Sequence, residues 1–524
     1  MKSILKKGAV IILAISVCLA MSVTAFAANP ATADKTITVT DVEEGATVTA
    51  YQIVKEENGH WVAIANSADQ KITISNDSVV LSAKEVTNLA NNTNGLPNKA
   101  MEYSATDKSY SATVDPGMYL VVVTKTGTPT VYNPMVVSAD YNAANKPTIS
   151  AKSDFEVGSA IAYAKSSKPT ITKDITSGTG TTASGTTTKG DSVAVGDKVD
   201  FQISSTIPSY SDDYATESLT YSMTDTLTAG FADPTDITVK IGDQTLDPSD
   251  YTLTPGNPFT VKLDGQTVHD NGLKTMTVTY SAVLESATAF NFDSNDNTAK
   301  LTYSNDPSST GTATPITAET HNYTFGIDAS LTGKDITGKK TTHEIIKTDS
   351  SDSAGQLISA TETQETKEFE GALQGATFGL YKGTDTTVDP VAKATSNEKG
   401  YLEMKGLDEG TYTLKEITAP NGYALDPSTH TVVISAVYNP DGTLASYSVT
   451  IDDNSTSTYT ATYENNELKE ITGDSTTTVI KNSTLGGLPT TGGMGTYIFI
   501  IIGITIIAVA AGMAIRRRRA ENEQ

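Results

Sequence analysis

Thr36-Ile37-Thr38-Val39-Thr40 alternates polar and apolar side chains residue by residue. That is the period of a half-buried strand, whose successive side chains point to opposite faces. The alternation returns in short runs at Ala46 to Val54, Lys71 to Ile74, Tyr119 to Val123 and Met135 to Val137. Glu44-Gly45, Asn58-Gly59, Asp115-Pro116-Gly117 and Asn133-Pro134 punctuate them as turns. One short helix is expected, over Ser82 to Ala90. The stretch 28–165 therefore predicts a β-sandwich.

Two further series follow. Between 166 and 325 the strand-like runs are Thr170 to Lys173, Val199 to Ser205, Ser218 to Thr224, Ile237 to Ile241, Met276 to Val283 and Ala299 to Tyr303. Thr176 to Asp191, rich in Gly, Thr and Ser, reads as a long loop after the first of these strands. Between 326 and 487 the runs are Glu344 to Lys347, Ala376 to Tyr381, Gly410 to Glu416, Thr431 to Val437, Ser446 to Ile451 and Thr477 to Lys481. Asp349 to Lys367 reads as a polar hairpin or loop. The chain is predicted to be all-β, a tandem of immunoglobulin-like or prealbumin-like sandwiches.

Both ends read as signals. Lys2, Lys6 and Lys7 precede an apolar core from Ala9 to Val23, and Ala25-Phe26-Ala27 has the small-x-small form of a signal-peptidase site, so residues 1–27 are expected to be an export leader. At the other end an apolar run from Tyr497 to Ile515 is followed by Arg516 to Arg519. At about 1.5 Å per helical residue that run reaches roughly 28 Å, enough for a transmembrane helix whose basic end stays in the cytoplasm.

The full chain carries 37 basic and 61 acidic residues, a formal charge of −24. Loss of the leader and of everything after Thr491 takes this to about −29, a surface that repels nucleic acid. Cys18 is the single cysteine and lies in the leader. The exported protein therefore has no disulfide, and its durability must come from core packing or from another cross-link.

Leu488-Pro489-Thr490-Thr491-Gly492 precedes the apolar run and matches the cell-wall sorting signal read by sortases of Gram-positive bacteria. Residues 488–524 thus resemble a complete sorting signal, cut between Thr491 and Gly492. Leu373-Gln374-Gly375-Ala376-Thr377-Phe378-Gly379-Leu380-Tyr381 and Gly410-Thr411-Tyr412-Thr413-Leu414-Lys415-Glu416-Ile417-Thr418-Ala419-Pro420-Asn421-Gly422-Tyr423 resemble the Cna protein B-type domain of sortase-assembled pilins. The second stretch follows that family's E-box. With the signals at both ends, the chain resembles the major, or backbone, pilins of Gram-positive pili over nearly its whole mature length.

The resemblance implies internal isopeptide bonds, each joining a lysine to an asparagine under the influence of a buried acid. In the third domain it places Lys347, Glu416 and Asn482 in these roles, with Lys334, Lys339 and Lys340 as other lysines upstream. In the second it places Lys173, Asp225 and Asn297, with Asn305 as an alternative to Asn297. No comparable set is evident in the first domain. The chemistry is reasonable without the family: an apolar core favours a neutral, nucleophilic amine and a protonated carboxylic acid, and proximity replaces an external enzyme. The resemblance further implies a linkage lysine between the first two domains. Ile161-Ala162-Tyr163-Ala164-Lys165-Ser166 occupies that place, giving Lys165, with Lys168 as the alternative. The family's proline and asparagine are replaced there by Ala164 and Ser166.

Conventional active sites are not evident. His60, His269, His321, His343 and His430 are scattered without ligand spacing. Asp293-Ser294-Asn295-Asp296-Asn297 begins like a calcium loop but has Thr298 and Ser304 where glycine and glutamate belong, and reads as a turn. No metal, no cofactor and no enzymatic activity toward other molecules are expected. The resemblance implies a structural subunit of a wall-anchored pilus shaft. Its partners are further copies of itself, a sortase, ancillary pilins and peptidoglycan, and nucleic acid is excluded. The alternative is a wall-anchored adhesin or ancillary pilin.

Overall fold

The computed structural model describes residues 35–521 apart from short internal segments, chiefly 65–71, 140–160, 177–187, 211–215, 306–312, 332–340, 361–366 and 486–493. The leader 1–27, the pentapeptide Leu488 to Gly492, most of the loop expected at Thr176 to Asp191, and Lys334, Lys339 and Lys340 lie outside the described residues. The chain divides into two compact units, Met1–Thr324 with Val437–Ala445, and Phe325–Ala436 with Ser446–Gln524.

In the first unit the sheets sort into two sets. Lys35–Thr40 lies parallel to Ile161–Tyr163 and antiparallel to Ser109–Val114. A second sheet runs in the order Met135–Ala139, Gly117–Thr124, Thr47–Glu57, His60–Ala63. Ile37, Val39, Val121 and Val137 from these two sheets share one core. The other face of the second sheet carries Ile53, Met118 and Leu120, covered by Val86 and Leu89 of the helix Ala83–Asn91. The helix expected at Ser82 to Ala90 is thus present, with its apolar side on the sheet.

The second set is a sandwich. One sheet has the order Ile171–Ile175, Lys198–Thr206, Thr275–Val283, Thr235–Ile241, Gln244–Thr245. The other runs Gly190–Ser192, Ile316–Tyr323, Asn295–Tyr303, Tyr221–Leu227, Phe259–Leu263, Tyr251–Thr254. Phe201, Ile203, Met276 and Val278 from the first meet Tyr221, Met223, Val261 and Leu301 from the second in one core. Strand parity decides what else enters. Val199, Phe201 and Ile203 point inward, as do Met276, Val278, Tyr280 and Ala282, and the inward positions of the other strands include Lys173, Asp225 and Asn297.

The second unit is built on a seven-stranded antiparallel sheet in the order Ala392–Thr395, Thr377–Lys382, Gly410–Thr418, Thr429–Tyr438, Leu444–Ile451, Ser455–Glu464, Glu467–Asp474. Ile345–Asp349 pairs in parallel with Thr478–Asn482. The polar segment expected at Asp349 to Lys367 contains half of a hairpin, Leu357–Ala360 against Lys367–Phe369. The strands Ser455–Glu464 and Glu467–Asp474 were not anticipated from the sequence. A single helix, Met494–Glu521, covers the C-terminal apolar run and the arginines. Among the described residues no helix is long and apolar enough to cross a membrane, and the side chains of 494–501 lie outside the description.

Leu120 is wholly buried between its sheet and the helix. Leu120→Ala should lower the stability of this part of the molecule by about 2–5 kcal/mol. The urea midpoint of the first unfolding transition measures it, and a loss below about 1 kcal/mol would contradict the packing described.

Candidate functional site

Three residues that an apolar sandwich ordinarily excludes sit at its centre. Lys173 comes from the edge strand of one sheet, and Asp225 and Asn297 from neighbouring strands of the other. All three are 0% exposed. The Lys173 Nζ donates to Asp225 Oδ2 and also, at 2.6 Å, to the hydroxyl of Tyr280. That hydroxyl donates to Asp225 Oδ1 at 2.8 Å and accepts from Asn297 Nδ2 at 2.7 Å. The four side chains form one closed network whose hub is the tyrosine oxygen. Asn297 Oδ1 has no hydrogen-bond partner among the described residues.

Aromatic rings close the pocket. Phe201 stacks on Tyr280 at 5.3 Å, Phe259 meets it edge-on at 4.9 Å, and the Lys173 Nζ lies 5.3 Å from the Phe201 centroid. Burial drives the amine down from its ordinary 10.5 to about 8, against the pull of Asp225. The same burial raises Asp225 above the usual carboxylate range, although Lys173 and Tyr280 oppose the shift. Tyr280 is pushed well above its ordinary value, again chiefly by burial, and stays a neutral phenol. The environment thus moves amine and acid toward the uncharged pair.

A second cluster occupies the second unit. Lys347 and Asn482 lie on the two parallel partners, Lys347 opposite Ile480 and Asn482 opposite Asp349, so the two side chains are offset by two residues on adjacent strands. Glu416 reaches them from the strand Gly410–Thr418 of the large sheet, where Tyr412, Leu414 and Glu416 share the inward parity. Asn482 Nδ2 donates to Glu416 Oε2 at 2.9 Å and to the Ala424 carbonyl at 2.5 Å. The Asp426 N–H also donates to Glu416 Oε2, at 2.7 Å. Lys347 Nζ stands 3.8 Å from Glu416 Oε1 and 5.7 Å from the Phe378 centroid. Burial lowers the Lys347 amine below its ordinary value.

The backbone of Lys347 is held on its other side by Gly400. Lys347 N–H donates to the Gly400 carbonyl at 2.8 Å. Gly400 has φ +83°, and a Cβ there would stand 2.5 Å from the Lys347 carbonyl oxygen. Only glycine permits both the conformation and the approach.

The structure therefore brings together each of the lysine, acid and asparagine sets read from the sequence. Asn305 lies beyond the end of the strand that carries Asn297. Tyr280 was missed: in the run Met276, Val278, Tyr280, Ala282 it reads as one more core residue. Lys165 and Lys168 are both exposed. Lys165 lies between Ile161–Tyr163 and Ser166–Ser167, and its carbonyl accepts the Asn133 N–H at 2.9 Å while the Ala164 N–H donates to Thr40 at 3.1 Å. A fixed backbone thus presents this side chain on the surface. Among the described residues no group of three or more His, Cys, Asp or Glu is placed to hold a metal ion.

Comparison with known proteins bears on the fold and on the C-terminal signal. Residues 358–443 match the prealbumin-like fold domain SpaA, and residues 480–522 match the LPXTG cell wall anchor motif. The trypsin-resistant surface T6 protein of Streptococcus pyogenes serotype M6 is 25% identical, over 92% of this chain and 94% of its own length. The solved T6 backbone pilin of serotype M6 Streptococcus pyogenes, a modular three-domain structure with variable loops and extensions, superposes with a TM-score of 0.57. At 18% identity that match covers 87% of this chain and 100% of the other.

The buried amine gives a pH test. In Asn297→Ala, where no amide can form, the folded lysine releases its proton near pH 8 while the unfolded lysine keeps it to about 10.5. The unfolded state then binds more protons, so stability rises with pH across that window. Between about pH 8 and 9.5, below the range where unfolded tyrosines ionise, the urea midpoint of Asn297→Ala should climb relative to the Lys173→Met/Asn297→Ala double variant. Parallel curves would show that the amine is not desolvated.

Proposed function

We propose, from the premise that this chain is a homologue of a backbone pilin and carries a cell-wall anchor motif, that it is the repeating subunit of a covalent, wall-anchored pilus shaft. The observation that carries the reading is the burial of two lysines, Lys173 and Lys347, each in company with a buried carboxyl and a buried asparagine. Such sets have no evident use in a wholly noncovalent sandwich, since each isolated buried charge costs several kcal/mol. They serve a protein that must carry load without disulfides.

In this reading the mature chain has three modules, 28–165, 166–325 and 326–487. Lys173 joins Asn297 and Lys347 joins Asn482 as amides, with Asp225 and Glu416 as the promoting acids and ammonia as the other product. Each bond closes a loop of well over a hundred residues, for which the loop-entropy estimate is about 5 kcal/mol. The leader 1–27 directs export, and the helix over 497–515 holds the chain in the membrane until a sortase cuts between Thr491 and Gly492. The Thr491 carboxyl then passes to Lys165 of the next subunit, and finally to the peptidoglycan. The chain is a substrate of that enzyme and a structural protein itself; ancillary pilins would share the fibre. The exposure of Lys165 supports its use as the nucleophile. Lys168, also exposed, is the alternative.

Two measurements test this. Intact mass of residues 28–487 should fall short of the sequence mass by about 17 Da for each amide formed. A full mass removes the internal bonds from the reading. Lys165→Ala should abolish the high-mass ladder in blots of wall extracts, whereas a ladder lost only with Lys168→Ala would move the linkage to that residue. A wild-type chain that never forms a ladder would leave the shaft without support.

A further inference from the structure

We infer that Tyr280 is a catalytic residue of the Lys173–Asn297 cross-link, its hydroxyl carrying the proton that releases ammonia from Asn297. The inference rests on the reading that this bond forms. Amide formation from an amine and a carboxamide requires one proton to leave the lysine nitrogen and one to reach the departing –NH2. In the second unit Glu416 contacts the departing group directly, through Oε2 at 2.9 Å from Asn482 Nδ2. Asp225 is one methylene shorter, and the group at hydrogen-bond distance from Asn297 Nδ2 is the Tyr280 hydroxyl, at 2.7 Å. That hydroxyl is in turn 2.8 Å from Asp225 Oδ1, while Asp225 Oδ2 receives Lys173 Nζ.

The network closes a proton cycle. The neutral Lys173 nitrogen attacks the Asn297 Cγ, forming the C–N bond, and gives one proton to Asp225 Oδ2. In the uncharged pair the carboxyl proton sits on Asp225 Oδ1, so the hydrogen bonds along Asp225, Tyr280 and Asn297 reverse: once the tetrahedral carbon makes Nδ2 basic, that proton passes to the Tyr280 oxygen as the phenolic proton passes to Asn297 Nδ2. The Cγ–Nδ2 bond then breaks, its electron pair leaves with nitrogen, and NH3 departs. Asp225 ends protonated on Oδ2 and Tyr280 ends as a phenol, so both are regenerated and no outside acid, base or oxidant is consumed. The relay needs a group that touches both the acid and the leaving nitrogen, and Tyr280 Oη lies 2.8 Å from Asp225 Oδ1 and 2.7 Å from Asn297 Nδ2. Phe201 and Phe259 hold its ring in place.

The test follows the exported-length chain by intact mass after a short cell-free synthesis pulse, with peptide mapping to separate the two bonds. Wild type should lose about 34 Da and Tyr280→Phe about 17 Da at the same time point, the Lys173–Asn297 amide forming at least about a hundredfold more slowly. Formation of that amide in Tyr280→Phe at the wild-type rate overturns the inference. A wild-type chain at full mass would instead overturn the reading on which it rests. Should Tyr280→Phe not fold, by circular dichroism, 3-fluorotyrosine placed at 280 keeps the ring and makes its hydroxyl more acidic. The pH–rate profile for bond formation should then shift by several-fold in rate at fixed pH, and a superimposable profile overturns the inference. A tyrosine that only filled space would leave the profile unmoved.

Discussion

An amine enclosed where water cannot follow is the constraint from which both clusters derive. Transfer of an ammonium into such a place costs several kcal/mol even after relaxation, so the group must be neutralised, paired, or converted into something else. Around Lys173 the first two responses operate together. Asp225 attracts the proton while burial drives it off, and the amine stands near the point where both forms are populated at ordinary pH. Conversion to an amide would remove the charge and the need for compensation at once.

The two clusters meet this constraint with different geometry. Lys173 and Asn297 project from opposite sheets, so a bond between them would pass through the core and resist separation of the layers. Lys347 and Asn482 stand on neighbouring parallel strands, where a bond would resist one strand sliding along the other. In the first arrangement the acid is short and a tyrosine spans the remaining gap; in the second a glutamate reaches the amide by itself. The Ala424 carbonyl takes part of the position that Tyr280 holds in the other site, since it also accepts from the asparagine amide. An accepting carbonyl can orient that nitrogen but cannot protonate it. In the proposed reaction the group left to serve the departing nitrogen would be Glu416, whose Oε2 is the other acceptor.

Strand alternation made most of the architecture legible, because the period of two marks which residues face inward. The chemistry was legible by another route: the family resemblance implied Lys173, Asp225 and Asn297, and the structure sets all three on the inward parity of their strands. Tyr280 could not be picked out that way. A tyrosine on an inward position is an ordinary core residue, and its hydroxyl acquires a role only through contacts to residues 55 and 107 positions away. Ser455–Glu464 and Glu467–Asp474 were illegible for the opposite reason. Their buried positions are only Ser457, Tyr459 and Ile471, too few apolar residues to declare a strand before the partner strand is known. The short helix Gly265–Asp270, capped by the Asp264 side chain on the Thr267 N–H, fell below the length at which helical periodicity can be read.

Burial of an acid does not by itself make a reactive site, and the second unit contains the comparison. Asp328 and Glu344 are both buried, and burial raises both above the carboxylate range. Yet their oxygens are engaged in holding the fold. Asp328 accepts the N–H groups of Ile345 and Leu402 at 3.0 and 2.7 Å, and Glu344 accepts the Asp328 N–H at 2.8 Å and the Tyr459 hydroxyl at 2.7 Å. No lysine amine and no carboxamide is among these partners. At Asp225 and Glu416 the carboxyl instead faces an amine and the nitrogen of an asparagine whose carbonyl oxygen has no partner among the described residues. A buried carbonyl oxygen left unpaired is costly in a finished core. In the proposed cross-links that carbonyl carbon is where the new bond would form, and the amine and carboxamide facing Asp225 and Glu416 separate them from Asp328 and Glu344, which hold backbone and hydroxyl groups.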